Sequence, residues 1–229
     1  MANEKLKNLV NNLKNIGVLK TPAIIEAFLK IDRADFMPEN SKSLAYIDEA
    51  LAIGQNQTIS QPYTVAFMLE LLKPKAGEKI MDIGFGSGWQ AALLAYIVSK
   101  SGKTSDVDRK TSDVEEDLRI GKIYAVERIS ELCQFGRSNI AKYNFLEKGI
   151  IEWFCQDASD GLPQYAPFDK IIAAASVEKI PQSWQEQLKI GGRLVLPIKN
   201  SIWLFIKKSL KNFTSREYPG FAFVPFIQE

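Results

Sequence analysis

The segment Asp82-Ile83-Gly84-Phe85-Gly86-Ser87-Gly88 sets three glycines at alternate positions behind a carboxylate. Glycine at such points lets the backbone approach a ligand closely and take φ angles that other residues avoid. Two further acids follow: Glu127, ending the run Ile123-Tyr124-Ala125-Val126-Glu127, and Asp157, just after Phe154-Cys155-Gln156. Each follows an apolar run of strand type, so the three acids fall at three successive strand ends. Upstream, Gln57-Thr58-Ile59-Ser60-Gln61-Pro62 places two hydroxyls ahead of a helical pattern. The chain has no histidine. That excludes Ser-His-Asp and Cys-His catalysis, and it removes the commonest general base and metal ligand.

The elements that must position these residues are legible from periodicity. Leu6, Leu9, Val10, Leu13 and Ile16 mark a helix over 4–16. Thr21 and Pro22 suit the N-cap and first position of a second helix running through Ala27 and Leu29. Residues 32–63 read as irregular. Val65, Ala66, Leu69 and Leu72 predict a helix ending before Pro74. Strands and helices then alternate: strand 79–83, helix 88–99, strand 122–127, helix 130–143, strands 150–154 and 169–174, helix 181–188, strand 192–197. Strands near 202–208 and 220–226 should close one edge as an antiparallel hairpin. Such alternation predicts an α/β fold with a mostly parallel twisted sheet and helices on both faces. Residues 101–121 are polar and charged and read as an inserted surface loop. The expected organisation is a helical, substrate-side segment over 1–62 and a cofactor-binding domain over 63–229, packed as one unit.

Composition narrows the partners. The net charge of +2 makes no electrostatic case for nucleic acid or a membrane surface. No apolar run approaches the ~20 residues of a membrane span, and the N-terminus MANEKLKNLV lacks the apolar stretch of a signal peptide. The two cysteines, Cys133 and Cys155, form no C-x-x-C pair. Free buried thiols and a cytoplasmic location are therefore expected, and a monomer is expected without a sequence feature that requires it.

The glycine spacing chooses the ligand. A dinucleotide fingerprint reads G-x-G-x-x-G and seats a pyrophosphate on a helix N-terminus. Here the spacing is G-x-G-x-G, and the leading carboxylate would repel a pyrophosphate while suiting an ammonium. The form D-x-G-x-G-x-G resembles motif I of class I methyltransferases, which implies S-adenosylmethionine as cofactor and a Rossmann-like fold. Glu127 can accept both hydroxyls of a ribose. Its distance from the glycine loop exceeds the usual ~20 residues, and the insertion accounts for the excess.

A more specific resemblance lies upstream. Gly54-Gln55-Asn56-Gln57-Thr58-Ile59-Ser60-Gln61-Pro62 resembles the G-x-Q-T-I-S-Q-P stretch of the protein-L-isoaspartate O-methyltransferase family. Ala45-Tyr46-Ile47-Asp48, Val126-Glu127-Arg128-Ile129-Ser130-Glu131-Leu132, Gly191-Gly192-Arg193-Leu194-Val195-Leu196-Pro197 and Phe223-Val224-Pro225-Phe226 match as well. The resemblance implies methyl transfer to the free α-carboxylate of L-isoaspartyl residues in damaged proteins and peptides, whose ester then closes to a succinimide. It implies Ser60 as the active-site serine, with Thr58 and Ile59 beside it on the substrate side. It places Asp82, Gly84, Phe85, Gly86, Gly88, Glu127, Arg128, Asp157 and Ala158 at the cofactor, with Asp157 at the adenine amino group. Ser60 precedes a helix whose free N–H groups should favour an anion. Such an acceptor is ionised at neutral pH and needs no general base. Asn56, Phe85, Trp89, Ala158 and Val177 depart from the family's usual residues. Those departures leave two other readings: a class I methyltransferase with another acceptor, or an inactive cofactor-binding adaptor.

Overall fold

The structure, a computed structural model, describes residues 4–100 and 120–227. Two helices lead, α1 (Glu4–Asn15) and α2 (Pro22–Lys30), followed by 3-10 turns at Arg33–Phe36 and Glu39–Leu44. A small hairpin, β1 (Leu51–Gly54) and β2 (Gln57–Ile59), precedes α3 (Pro62–Leu72). Then come β3 (Lys79–Ile83), α4 (Trp89–Val98), β4 (Lys122–Glu127), α5 (Ser130–Ala141) and β5 (Ile151–Cys155). The chain finishes through β6 (Phe168–Ala173), α6 (Gln182–Gln187), β7 (Leu188–Ile198), β8 (Ser201–Lys207) and β9 (Phe213–Pro219). Of the insertion read over 101–121, residues 101–119 lie outside the described residues.

The second sheet has seven strands in the order β5-β4-β3-β6-β7-β8-β9. The first five pair in parallel, and β8 and β9 add antiparallel. Strand order reverses beside β3, since β4 lies on one side of it and β6 on the other. Ligands of open α/β sheets bind at the carboxyl ends of strands next to such a switch point.

The period-2 alternation of the strands divides the core into two layers. Ile80, Ile123, Ala125, Ile172 and Val195 join one cluster, which receives Leu9 and Leu13 of α1, Phe28 of α2, Leu69 of α3, Leu93 of α4 and Ile140 of α5. Met81, Ile83, Tyr124, Val126, Ile171 and Ala173 face the other, where Trp184 of α6 and Leu162 cover them. The expected α/β sheet with helices on both faces is what forms, with most of the helix on one side. Burying both faces explains why these strands read as nearly continuous apolar runs.

Several expectations need correction. Residues 32–63 are not without structure: they hold two 3-10 turns and a hairpin whose tip residues Gln55 and Asn56 have φ of 52° and 55°. Two consecutive left-handed residues are what a tight type I′ hairpin demands, and Asn tolerates that region better than most side chains. The final strand is 213–219 rather than 220–226. Gly220, at φ 95°, turns the chain out of the sheet, and residues 221–227 run elsewhere. The sixth helix is shorter than predicted, and β7 begins at Leu188 instead of 192. Thr21 sits at the N-cap position, yet its hydroxyl donates to Glu70 Oε2 (2.7 Å) rather than capping α2.

The two cysteines are not free thiols. Cys133 of α5 and Cys155 at the end of β5 form a disulfide, with Cα atoms 5.9 Å apart. Helix α5 packs on β5, and that tertiary contact brings together residues 22 apart in sequence.

Candidate active site

The glycine loop leaves β3 and enters α4 at the switch point. Gly84 N–H donates to Val126 O at 2.8 Å, fixing the loop to the end of β4. Gly86 N–H donates to Glu127 Oε2 at 3.1 Å, and Ile129 N–H donates to Glu127 Oε1 at 3.0 Å. Glu127 thus holds the loop's shape while keeping further lone pairs on both oxygens. Gly88, the N-cap of α4, has φ 88°, and a Cβ there would lie 2.8 Å from Ile140 Cγ1. Both conformation and space demand glycine at that point. Phe85 is buried and its ring lies against α5 at Gly136, where a Cβ would meet Phe85 Cε2 and the Gly86 carbonyl oxygen, each at 2.5 Å. The bulky Phe85 is accommodated because α5 carries no side chain opposite it.

Asp82 is fully buried. Its Oδ1 accepts a hydrogen bond from Gln90 Nε2 at 2.7 Å, and its Oδ2 has no partner within the protein. Burial pushes this carboxyl up to about 7; neighbouring Glu127 pushes the same way, against the Gln90 hydrogen bond. Asp157 Oδ1 accepts from Ser159 N–H at 2.7 Å, and its Oδ2 is likewise buried without a partner. An unpartnered buried carboxylate oxygen is costly unless something else donates to it.

A cavity of about 550 Å³ opens above these strand ends, well within the range of small-molecule sites. Of the residues expected at the site, Thr58, Ile59, Ser60, Gly84, Phe85, Gly86, Glu127, Arg128 and Ala158 line it. Asp82, Gly88 and Asp157 do not line it: Asp82 stands behind Gln90, which does, and Asp157 lies between the lining residues Gln156 and Ala158. Trp89 also lines it.

Ser60 lines the same cavity, from the segment that leads into α3. It is half-buried, and among the described residues its hydroxyl makes no hydrogen bond. Its backbone is firmly held: the Ser60 carbonyl accepts from Arg33 Nη2 at 3.1 Å. The helix behind it is less open to an anion than the sequence suggests. Pro62 has no N–H, and Tyr63 N–H already donates to Asp48 Oδ1 at 2.8 Å. A carboxylate of the chain itself occupies that position, so the start of α3 is not the anion site.

Two parts of the site escaped the sequence reading. The tail after Gly220 lines the cavity from Gly220 to Ile227. It is tied down by Ser176 N–H to Val224 O (2.8 Å) and Phe226 N–H to Ser176 O (2.7 Å). Its apolar run Phe221-Ala222-Phe223-Val224 reads as one more strand. Gln90, the partner of Asp82, follows the glycine motif at helical spacing, and only the pairing itself identifies it.

Comparison with known proteins agrees with this arrangement. Residues 4–229 match the protein-L-isoaspartate(D-aspartate) O-methyltransferase family. A protein-L-isoaspartate O-methyltransferase of Methanopyrus kandleri is 36% identical over 227 residues, covering 97% of this chain and 91% of the relative. That of Pyrococcus abyssi is 37% identical over 231 residues, covering 99% and 96%. A Plasmodium falciparum crystal structure, assigned to the same activity and in complex with S-adenosyl-L-homocysteine, superposes with a TM-score of 0.81 at 22% identity, covering 97% of this chain and 98% of that one. The last likeness carries the fold alone; the extent of the sequence match carries the family. The chain belongs to the protein-L-isoaspartate(D-aspartate) O-methyltransferase family.

Proposed function

We propose that the cavity holds S-adenosylmethionine against the glycine loop and presents its methyl group to an L-isoaspartyl α-carboxylate beside Ser60. The observation that carries this reading is the shared cavity: Ser60, with an uncommitted hydroxyl, lines the same space as the glycine loop and Glu127. The residues suit the cofactor. Asp82 Oδ2 and Asp157 Oδ2 are buried acceptors without donors, and an ammonium and an adenine amino group are donors of the kind each lacks. Glu127 keeps acceptor capacity for ribose hydroxyls. Gly88 shapes the loop from behind, and Arg128 and Ala158 close the adjoining wall.

When bound, the cofactor supplies an electrophilic methyl group. The chain's residues then have three tasks: to hold the acceptor oxygen in line, to exclude water and to stabilise the acceptor's charge. Ser60 Oγ donates to the acceptor carboxylate and fixes its direction. Thr58 and Ile59 border the acceptor side. The tail from Gly220 to Ile227 covers the cavity. No residue has to remove a proton, which is why a chain without histidine suffices.

The experiment incubates the protein with methyl-labelled S-adenosylmethionine and an isoaspartyl peptide, with the aspartyl twin as control. Label should enter the isoaspartyl peptide only. Ser60→Ala should lower turnover by about 10–100-fold with little change in S-adenosylhomocysteine affinity. Unchanged turnover removes Ser60 from the acceptor site; equal labelling of both peptides removes the acceptor assignment.

The leading segment and the sheet domain share one hydrophobic cluster, which supports our reading of 1–62 and 63–229 as one packed unit. We also read the protein as a monomer, which ultracentrifugation checks. Among the described residues no helix is long and apolar enough to cross a membrane. A cytoplasmic location is our reading, and the Cys133–Cys155 disulfide weighs against it, because a reducing compartment would keep the two as thiols. Thiol titration of protein quenched directly from its cell tests that; an intact disulfide there would place the protein elsewhere.

A further inference from the structure

Arg33 and Asp82 are the most deeply buried charged side chains of the described residues. Arg33 is 0% exposed, on a short 3-10 turn with no sequence motif of its own. Its guanidinium gathers carbonyl oxygens from five residues. Nη1 donates to Ala45 O at 2.9 Å and Ile47 O at 3.1 Å. Nη2 donates to Glu49 O at 2.8 Å, Ile59 O at 3.4 Å and Ser60 O at 3.1 Å. Its Cζ lies 5.4 Å from the centre of the Trp89 ring. Trp89 is the first residue of α4, immediately after the glycine loop, and it lines the cavity.

These contacts join two walls of one site. The carbonyls of residues 45–60 define the path of the segment that ends at Ser60, and the ring beneath belongs to the element that starts the cofactor side. Only a planar fork with several donors can serve five carbonyls on one side and stack on a ring on another. Among the described residues no carboxylate pairs with it within ion-pair distance. Burial lowers its proton affinity to about 10, with Asp48 opposing, so the group stays cationic at neutral pH. A buried positive charge, balanced only by Asp48 from beyond ion-pair distance, therefore sits directly behind the carbonyl of Ser60.

We propose that Arg33 is a positioning residue for methyl transfer: it sets the Ser60 segment against the cofactor wall and lends that segment the positive field that an acceptor carboxylate needs. This rests on the reading of Ser60 as the acceptor-side serine. Arg33 itself touches no reacting atom; it acts through Ser60.

The test is a double-mutant cycle on the full chain, with kcat, acceptor KM and S-adenosylhomocysteine affinity measured for Arg33→Lys, Ser60→Ala and both together. Lysine keeps the charge and loses the fork. Arg33→Lys should lower kcat by about 30–100-fold, as a small misplacement of a reacting group does, with cofactor affinity held within about threefold. The double variant should be no slower than the slower single variant, because both act on one contact. Additive losses, a parallel loss of cofactor affinity, or wild-type kcat in Arg33→Lys would each overturn the proposal. If Ser60→Ala alone leaves turnover intact, the underlying reading fails instead, which separates the two failures. Should Arg33→Lys not fold, the wild-type protein still decides. The Arg33 guanidinium NMR resonances should shift when isoaspartyl peptide is added to the S-adenosylhomocysteine complex, and unmoved resonances would overturn it.

Discussion

Gly136→Ala isolates how the glycine loop is held. Gly136 lies inside α5, where alanine is the better helix former by about 1 kcal/mol. Its backbone, however, faces the glycine loop: a Cβ would lie 2.5 Å from the Gly86 carbonyl oxygen, 2.5 Å from Phe85 Cε2 and 2.9 Å from Phe85 Cδ2. Ordinary contact begins near ~3.5 Å, so about 1 Å of movement is required. The Phe85 ring can turn aside at some cost. The Gly86 carbonyl is main chain, and it moves only if the loop moves. Overpacking of this kind costs about 1–3 kcal/mol, so after the helix gain the net loss of stability should be at most ~2 kcal/mol. The loop shift reaches Gly86 N–H and hence its bond to Glu127. Calorimetry with S-adenosylhomocysteine should show about 10–100-fold weaker binding, since aligned groups lose sharply on such displacements. Adding Phe85→Leu relieves the ring contact alone and should not restore affinity. Wild-type affinity in Gly136→Ala would refute the close-approach argument. Restoration by Phe85→Leu would move the cause from the carbonyl to the ring.

Three further outcomes follow from single groups. The Asp82 carboxyl, raised to about 7 from 3.8, retains a proton in the folded chain that the unfolded chain has lost. Its contribution to stability therefore declines as pH rises through the window between those values. A ligand ammonium favours the ionised form, so S-adenosylhomocysteine affinity should rise about tenfold from about pH 6 to pH 8, with proton release at the lower pH; a flat profile matching Asp82→Asn would refute it. Reducing the Cys133–Cys155 bond, which spans 22 residues, should cost about 3 kcal/mol and lower Tm by roughly 6–12 °C. An unchanged melt under reductant counts against it. Lys207 is 2% exposed and its Nζ donates to Gln185 O (2.6 Å), Glu186 O (3.2 Å) and Leu188 O (2.8 Å) at the end of α6. Lys207→Met should cost about 2–4 kcal/mol in urea unfolding and leave cofactor affinity intact; a cost below ~0.5 kcal/mol would show that those carbonyls find water instead.

What the sequence disclosed and what it hid divide along one physical line. The sheet strands, α4 and the glycine loop rest on local rules: apolar periodicity, glycine spacing, an acid at a strand end. The unread features are contacts between distant segments. Arg33 reaches carbonyls 12–27 residues ahead, and nothing in Asp32-Arg33-Ala34-Asp35 marks it out from a solvated charge. The disulfide depends on α5 docking against β5. Asp48 takes the Tyr63 N–H across 15 residues, which cancels the anion site that the helix start alone suggests. The hairpin over 51–59 hid because its strands are three and four residues long and its left-handed tip is Gln55-Asn56 rather than the usual Asn-Gly.

Acids stand behind the glycine loop and a buried cation stands behind Ser60, an arrangement that suits the reaction we propose. Asp82, Glu127 and Asp157 gather at the ends of β3, β4 and β5, where a ligand bearing an ammonium and a sulfonium gains most. Arg33 stands behind Ser60, where we propose that the acceptor carboxylate arrives. The acids cannot simply be strengthened: burial, with Glu127 adding to it, already raises the Asp82 carboxyl. Arg33 cannot simply be exposed, because its five carbonyl bonds fix Ser60. Each charge is therefore tied to a backbone contact that shapes its own wall: Glu127 to Gly86 N–H, Arg33 to Ser60 O. Electrostatics and geometry in this site are set by the same side chains. A substitution that removes one of these charges must also move the loop it holds, and losses at either residue should exceed what charge alone predicts.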